Sequence, residues 1–254
     1  MTVALIDGDI LAYQAAVVSE KETNWGDGLW TLHAYEEDGM AAFETTLNGI
    51  LNKLETESCI IAFSDSAHNW RKDVLPTYKG NRAGTRKPML LKFLRQWAND
   101  RFVCKTMDNL EGDDVLGIIS TQFPEGDYVM CTIDKDLKTI PGKHYNFGTG
   151  EIFEIDQDTA DYWHMIQTLT GDVTDGYSGC PGVGIKTAEK LLLDVSSHDR
   201  WDVVVKAYKK AGLGEEEALT QARVARILRA SDFDEKNLKV KLWTPENSMM
   251  PMER

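Results

Sequence analysis

Apolar and polar positions follow two different spacings along this chain. The apolar runs Val3–Ile6, Cys59–Phe63, Phe102–Cys104 and Tyr128–Ile133 are short and bounded by polar or glycine residues. That is the pattern of strands buried on both faces of a parallel sheet. Helical spacing lies between them. Ile10–Val18 is apolar and alanine-rich, and Met40–Leu54 places Phe43, Leu47, Ile50 and Leu54 on one stripe. Pro88–Trp97 opens on a proline suited to a first helical turn, and Val115–Phe123 follows an acidic start. The alternation predicts an α/β fold with a mostly parallel central sheet and flanking helices.

Elsewhere, Trp30, Leu32 and Ala34 alternate within residues 24–38, which suggests an edge strand. His144–Phe147 and Glu151–Ile155 flank a Gly-Thr-Gly turn and predict a hairpin. From Thr159 onward the pattern is helical: Thr159–Leu169, a glycine-rich loop, Ile185–Leu193, Trp201–Ala211 and Glu215–Arg229. Residues 230–254 read as a strand or tail ending in a loose Met- and Pro-containing terminus. No internal repeat or low-complexity linker divides the chain. Residues 1–158 are expected to form an α/β core and 159–254 a helical region continuous with it.

Bulk composition adds limits. The 254 residues suffice for one large α/β domain or a domain with a helical appendix, and 42% hydrophobic with 27% charged residues is ordinary for a folded chain. No apolar run approaches the length of about 18 needed to span a bilayer, and the N-terminus enters a strand at once. Neither a membrane span nor a secretory signal is expected, so the protein reads as soluble and intracellular. Cys59, Cys104, Cys131 and Cys180 form no CxxC pair, and three lie in or beside apolar runs, as reduced core residues do.

Taken alone, the net charge of −13 argues against nucleic acid. Net charge, however, governs long-range repulsion, whereas local patches and bound cations govern docking. From Arg71 to Arg95 the chain carries Arg71, Lys72, Lys79, Arg82, Arg86, Lys87, Lys92 and Arg95 against one acid, Asp73. Such a strip is either a solvated face or a guide for a polyanion.

Carboxylates gather where parallel sheets place ligands, at the carboxyl ends of strands. Asp7 and Asp9 end the first strand, and Asp65 follows the second. Glu111, Asp113 and Asp114 open a helix, where the helix dipole alone favours acids. Asp134 and Asp136 follow the fourth strand and share a face if its geometry persists. Asp172 and Asp175 are spaced to point the same way on a helical turn. So many like charges cannot converge in a partly buried cleft unless cations neutralise them or some take up protons. Oxygen donors without His or Cys select magnesium or manganese. Two such ions about 4 Å apart would clamp the attacking and leaving oxygens of a phosphodiester displacement.

The sequence Tyr78-Lys79-Gly80-Asn81-Arg82 sits just past Asp65. A lysine and an arginine three apart can hold a scissile phosphate and offset transition-state charge. Tyr13 is either a ring on which a terminal base stacks or a core aromatic. In Gly179-Cys180-Pro181-Gly182-Val183-Gly184-Ile185-Lys186-Thr187 a glycine hairpin leads into a helix N-terminus. Backbone N–H groups there, with Lys186 and Thr187, suit a phosphate. A dinucleotide loop is not expected, because the hairpin follows helical sequence.

Taken together, IDGD, FSD, YKGNR, LEGDDV, TIDKDL and GDVTDGYSGCPGVGIKTAEKLL resemble the flap-endonuclease and 5′-nuclease superfamily, in order, over residues 5–193. NWRKD, DGYSG and ARILR resemble the podophage 5′-to-3′ exonucleases in particular. The resemblance implies a PIN-like core with a basic, arch-like segment at 71–97, and a C-terminal helix–hairpin–helix (helix–three-turn–helix) element. It implies one metal site around Asp65, Glu111, Asp113 and Asp114, and another around Asp134, Asp136, Asp172 and Asp175, supported by Asp7. The ions would be two Mg²⁺, with Mn²⁺ substituting, and a K⁺ at the glycine hairpin. Lys79 and Arg82 would be the catalytic basic pair. Tyr13, Arg71, Lys72, Arg86, Lys87, Gly182, Gly184, Lys186 and Thr187 would contact DNA. Family chemistry is attack by metal-bound hydroxide, giving 5′-phosphorylated products from duplex DNA with a 5′ end. RNA removal from RNA/DNA hybrids, a monomeric state and a place in the host cytoplasm follow from the same resemblance.

One departure matters. Only residues 83–110 separate Arg82 from Glu111, and a helix fills much of that span. Exonuclease attack on duplex ends is therefore expected over threading of a flap, as a structure-specific flap endonuclease would do. Two other readings compete. IDGDI and GDVTD resemble motifs of haloacid-dehalogenase phosphatases, but that fold needs GDVTD after a strand, and here it follows a helix. A DNA-end-binding module without cleavage would carry idle carboxylates that only repel DNA.

Overall fold

The computed structural model describes residues 2–122 and 127–248. In chain order the elements are β1 (Val3–Asp7), α1 (Gly8–Val18), β2 (Glu20–Asn24), β3 (Trp30–Ala34), α2 (Glu36–Lys53), β4 (Cys59–Phe63) and α3 (Arg71–Val74). There follow α4 (Leu91–Arg101), β5 (Cys104–Thr106), α5 (Gly112–Gln122), β6 (Tyr128–Cys131), β7 (Gly142–Asn146), β8 (Glu151–Ile155) and α6 (Gln157–Thr170). The chain continues through α7 (Ile185–Leu192), α8 (Arg200–Lys210), α9 (Glu215–Ala225), β9 (Phe233–Asp234), β10 (Lys239–Val240) and α10 (Pro245–Ser248).

The central sheet runs in the order β5-β4-β1-β6-β7-β8. All its pairings are parallel except that of β7 with β8. The period-2 geometry of a strand divides its residues between two faces. Ala4, Ile6, Ile61, Phe63, Val129 and Cys131 pack with Leu11, Phe43, Leu47 and Leu94 of the helices on one side. Leu5, Ala62 and Met130 face Val115 and Leu116 of α5 on the other, joined there by Ile227, Leu228 and Phe233 from late in the chain. Both faces are covered, which is why these strands read as unbroken apolar runs. A third core, including Leu169, Ala188, Trp201, Val204, Tyr208 and Trp243, lies among α6, α7, α8 and α9.

Several boundaries differ from the pattern-based reading. Trp30–Ala34 does form a strand, but it pairs antiparallel with β2 in a separate ribbon, because the edges of the main sheet are β5 and β8. The first covering helix starts at Gly8, because Asp7 caps it by accepting from the Ile10 amide at 3.1 Å. Helix α4 begins at Leu91, after a buried Pro88 and a turn at Met89 and Leu90. Phe102 stacks on Phe43 instead of starting a strand, so β5 begins at Cys104. Helix α9 stops at Ala225, because Arg226–Leu228 runs extended back toward α5. Residues 230–248 hold a short ribbon of β9 with β10 and the one-turn α10. Phe123 and the Met- and Pro-containing end at 249–254 lie outside the described residues. Among those residues, all four cysteines are free thiols, and no helix is long and apolar enough to cross a membrane.

Candidate active site

The carboxyl ends of β1, β4 and β6 open into a cleft of about 550 Å³. Of the nine carboxylates expected to hold metal, eight line it: Asp7, Asp65, Glu111, Asp113, Asp134, Asp136, Asp172 and Asp175. Lys79, Arg82, Lys87 and Arg95 line it as well. Hydrogen bonds from near and distant parts of the chain place several of the acids. Asp7 accepts from the Ile10 amide and from the Thr132 hydroxyl at 2.8 Å. Asp65 accepts from the amides of Ala67 at 2.8 Å and Asn109 at 2.9 Å, which hold its carboxyl below the usual range. Asp134 caps a 3-10 turn at Lys135–Thr139 by accepting from the Asp136 amide at 2.8 Å. The strand thus ends before this pair, and the turn, not a shared strand face, brings Asp134 and Asp136 to the cleft.

Asp172 and Asp175 lie on a tight loop, not on a helical turn. Helix α6 ends at Thr170, and Asp172 pairs with Tyr177 across the loop neck. Two glycines make that neck possible. Gly171 and Gly179 both have positive φ, at 64° and 62°, and a Cβ on Gly171 would lie 2.4 Å from the Gly179 nitrogen. No side chain fits at either position. The loop docks on the basic turn through the Lys79 amide, which donates to Asp175 O at 2.7 Å, and through the Asn81 amide group, which donates to Val173 O at 2.8 Å.

The electrostatics are uneven. Burial would raise the Glu111 pKa, but Arg71 and Lys79 outweigh it and hold it at about 2. Lys79 pairs with Glu111 and Asp175, and Arg82 with Asp175. The Tyr78 hydroxyl lies 2.9 Å from both Glu111 Oε2 and Asp175 Oδ2. Burial works against the Lys79 ammonium, yet Glu111 and Asp175 raise its pKa. Among the described residues, Asp7, Asp113 and Asp136 form no such ion pair. Burial, against the pull of Ile10 and Thr132 and aided by Asp9 and Asp134, pushes Asp7 up to about 7. Burial and then Asp134 and Asp172 push Asp136 up to about 7, and burial with Asp7, Asp134 and Glu111 raises Asp113 well above its usual value.

Among the described residues no three His, Cys, Asp or Glu side chains form a ready-made metal grouping. Lys79 and Arg82 draw Glu111 and Asp175 toward themselves. The donor chemistry nonetheless fits hard cations, because the cleft offers carboxylate oxygens in excess and no His or Cys lines it.

Two expected site residues have other work. Asp114 is 0% exposed and does not line the cleft. Its oxygens accept from Trp70 Nε1, Arg71 Nη1 and Nη2, and the amides of Glu111 and Leu228. No lone pair is left for a metal. Arg71, at the cleft wall, is 2% exposed and spends its donors on Glu111, Asp114 and the carbonyls of Val224 and Arg226, which makes it a buried brace. Lys72, Arg86, Lys186 and Thr187 are exposed outside the cleft, and Arg86 pairs with Glu20. Gly182 and Gly184 are exposed before α7, with open space where a Cβ would stand. Tyr13 is 50% exposed on α1, a surface and not a core aromatic. Asp9, Ser64, Tyr78 and Arg95 also line the cleft, although the sequence assigned none of them a site role. Asp9 and Tyr78 sit inside the motifs IDGD and YKGNR, which was the available signal.

A family model described as 5′-3′ exonuclease, N-terminal resolvase-like domain, matches residues 2–161. The chain is 33% identical to the exodeoxyribonuclease of Enterobacteria phage T3, over 96% of this chain and 93% of that protein. It is 32% identical to the exonuclease of Escherichia phage T7 over the same shares. Its fold is similar to that of the phage T5 5′-exonuclease solved with divalent zinc ions bound, with a TM-score of 0.70, 16% identity and 89% of each chain covered. The T5 flap endonuclease in a pseudo-enzyme-product complex with DNA and metal ions gives a TM-score of 0.67, 16% identity and the same coverage.

Proposed function

The chain belongs to the 5′-to-3′ exonuclease family, and from that premise we propose that it removes nucleotides from the 5′ ends of duplex DNA with the help of two divalent ions in the cleft. The observation that carries the reading is the convergence of eight carboxylates from five separate segments beside Lys79 and Arg82.

Asp65, Glu111 and Asp113 would hold one ion, and Asp134, Asp136, Asp172 and Asp175 the other, with Asp7 supporting both. Mg²⁺ suits these hard donors and Mn²⁺ would substitute. The ions, when bound, supply positive charge for the attacking and leaving oxygens of the displacement. The rest falls to the chain itself. Lys79 and Arg82, now paired with Glu111 and Asp175, turn toward the scissile phosphate and stabilise the charge that develops on it. Tyr78 holds Glu111 and Asp175 in place through its hydroxyl.

Tyr13 offers an exposed ring for the terminal base, and Lys72, Arg86 and Lys87 meet phosphates. Farther along the duplex, Gly182, Gly184, Lys186 and Thr187 grip one strand, with a K⁺ at that glycine loop. Helix α4 is held down on Asp9 and Ser64 by Arg95, which favours attack at duplex ends over threading of a flap. RNA/DNA hybrids share the backbone this cleft reads and are a second substrate. The protein acts as a monomer in the host cytoplasm.

A duplex labelled at one 5′ end tests this directly. Label should be released as short 5′-phosphorylated products with Mg²⁺, not with chelator, and release should be largely lost in Asp134→Asn. Release of inorganic phosphate alone, or a shifted but uncut duplex, would overturn the reading.

A further inference from the structure

Asp9 lies in the cleft, yet protein groups engage both its carboxylate oxygens. Oδ1 pairs with Arg95 Nη1 at 3.0 Å. Oδ2 accepts from the Ser64 amide at 2.8 Å and the Ser64 hydroxyl at 2.5 Å. That hydroxyl in turn accepts from the Gly112 amide at 2.9 Å, and Arg95 Nη2 donates to the Ser64 carbonyl at 2.5 Å. A Cβ on Gly112 would meet Asp9 Oδ2 at 3.0 Å, so the acidic turn lies directly against Asp9. One bonded chain therefore runs from α4 through Arg95, Asp9 and Ser64 to the first turn of α5.

Gly112 stands between Glu111 and Asp113. Asp113 lines the same cleft as Asp7, Asp134 and Glu111, so like charges crowd against this turn and its position must be held by other groups. Arg71, Lys79 and Tyr78 hold Glu111 from one side of this turn; the Asp9–Ser64 clasp holds Gly112 from the other, and Arg95 supplies the counter-charge that lets Asp9 sit in an acidic cleft. Deepening the two-ion reading and resting on it, we infer that Asp9 and Arg95 are a positioning pair that fixes the first turn of α5 so that Glu111 and Asp113 meet a divalent ion. Neither touches ion or substrate. Their effect reaches the ion through Ser64 and Gly112.

The test measures Mn²⁺ binding by calorimetry on the DNA-free protein, beside steady-state cleavage. Asp9→Asn keeps the side chain's shape and loses its charge, and Arg95→Gln removes the partner. Each should weaken Mn²⁺ binding about tenfold, as loss of partners behind metal ligands does. Each should lower kcat at limiting Mg²⁺, recover at high Mg²⁺, and leave KM for duplex within about twofold. The double variant should be no worse than either single one, because the pair acts as a unit. Ser64→Ala removes only the hydroxyl and should shift Mn²⁺ binding the same way, which carries the test if Arg95→Gln does not fold. Arg95→Lys should recover part of the loss. Unchanged Mn²⁺ binding in Asp9→Asn and Ser64→Ala overturns the inference. So does a raised KM with altered salt dependence in Arg95→Gln at unchanged Mn²⁺ affinity, which would make Arg95 a phosphate contact. A wild-type protein that binds no Mn²⁺ sinks the two-ion reading itself, and the pair with it.

Discussion

Consider Asp136→Asn in buffer containing chelator at pH 8. Asp136 makes no hydrogen bond through its carboxylate that the fold depends on, and its pKa is pushed from 3.8 to about 7 by burial and then by Asp134 and Asp172. A shift of about three units corresponds to about 4 kcal/mol at 1.36 kcal/mol per unit. Asp136 is partly exposed, so water and counter-ions absorb much of this, leaving about 1–2 kcal/mol. The folded carboxyl holds its proton more tightly than the unfolded one. Stability is therefore lost as pH rises from about 4 to about 7, and the whole cost persists above that. Asparagine carries no such cost. The variant should melt about 2–8 °C higher than wild type at pH 8, with the gain falling by about half at pH 5.5. With saturating Mg²⁺ the gain should vanish, because the wild-type acid is then neutralised, while cleavage is largely lost. Differential scanning calorimetry at the two pH values, with and without Mg²⁺, measures all of this. A variant less stable than wild type at pH 8 in chelator would refute the claim that these acids repel one another in an underneutralised cleft.

Other outcomes follow from the same geometry. Mg²⁺ at about a hundred times its dissociation constant should stabilise the wild-type protein by about 2.7 kcal/mol against urea, and chelator should reverse it. Arg71→Ala leaves the buried Asp114 without its counter-charge and Glu111 with Lys79 alone, and should cost about 3–5 kcal/mol in urea unfolding at any Mg²⁺ concentration. Gly171→Ala forces a Cβ against Gly179 and should abolish cleavage while lowering the melting temperature; wild-type activity in this variant would show that the loop neck is loose. Lys186→Ala should reduce by about one the slope of log affinity against log salt for duplex in chelator, with kcat at saturating DNA unchanged.

The sheet was legible because strands buried on both faces cannot hide their apolar runs, and β1, β4 and β6 lie close to where those runs place them. The cleft was legible for a related reason: parallel strands end on one edge, so acids written after strands converge. What the sequence hid was set by tertiary contact. In EGDD, Asp113 and Asp114 look equivalent, yet a helix turns about 100° per residue, and only Asp113 reaches the cleft while Asp114 meets Arg71 and Leu228. Arg71 resembled its basic neighbours, but the apolar Trp70 and Val74 around it marked a segment that packs inward. Arg95 stood out only as one of the basic strip and Ser64 only as a letter of FSD, because their bonds to Asp9 are encoded by no spacing. Lys79 takes a left-handed conformation, φ 53°, which local sequence with a non-glycine residue gives no reason to expect.

The end of α9 and the extended residues after it complete the site from late in the chain. Val224, Ala225 and Ile227 form part of the cleft wall, Arg71 needs the carbonyls of Val224 and Arg226, and Asp114 needs the Leu228 amide. Synthesis proceeds from the amino terminus, so every one of the clustered acids leaves the ribosome before the residues that complete their surroundings. A chain that stops short of Val224 would leave Arg71 and Asp114 without these partners and the acids in an unfinished cavity.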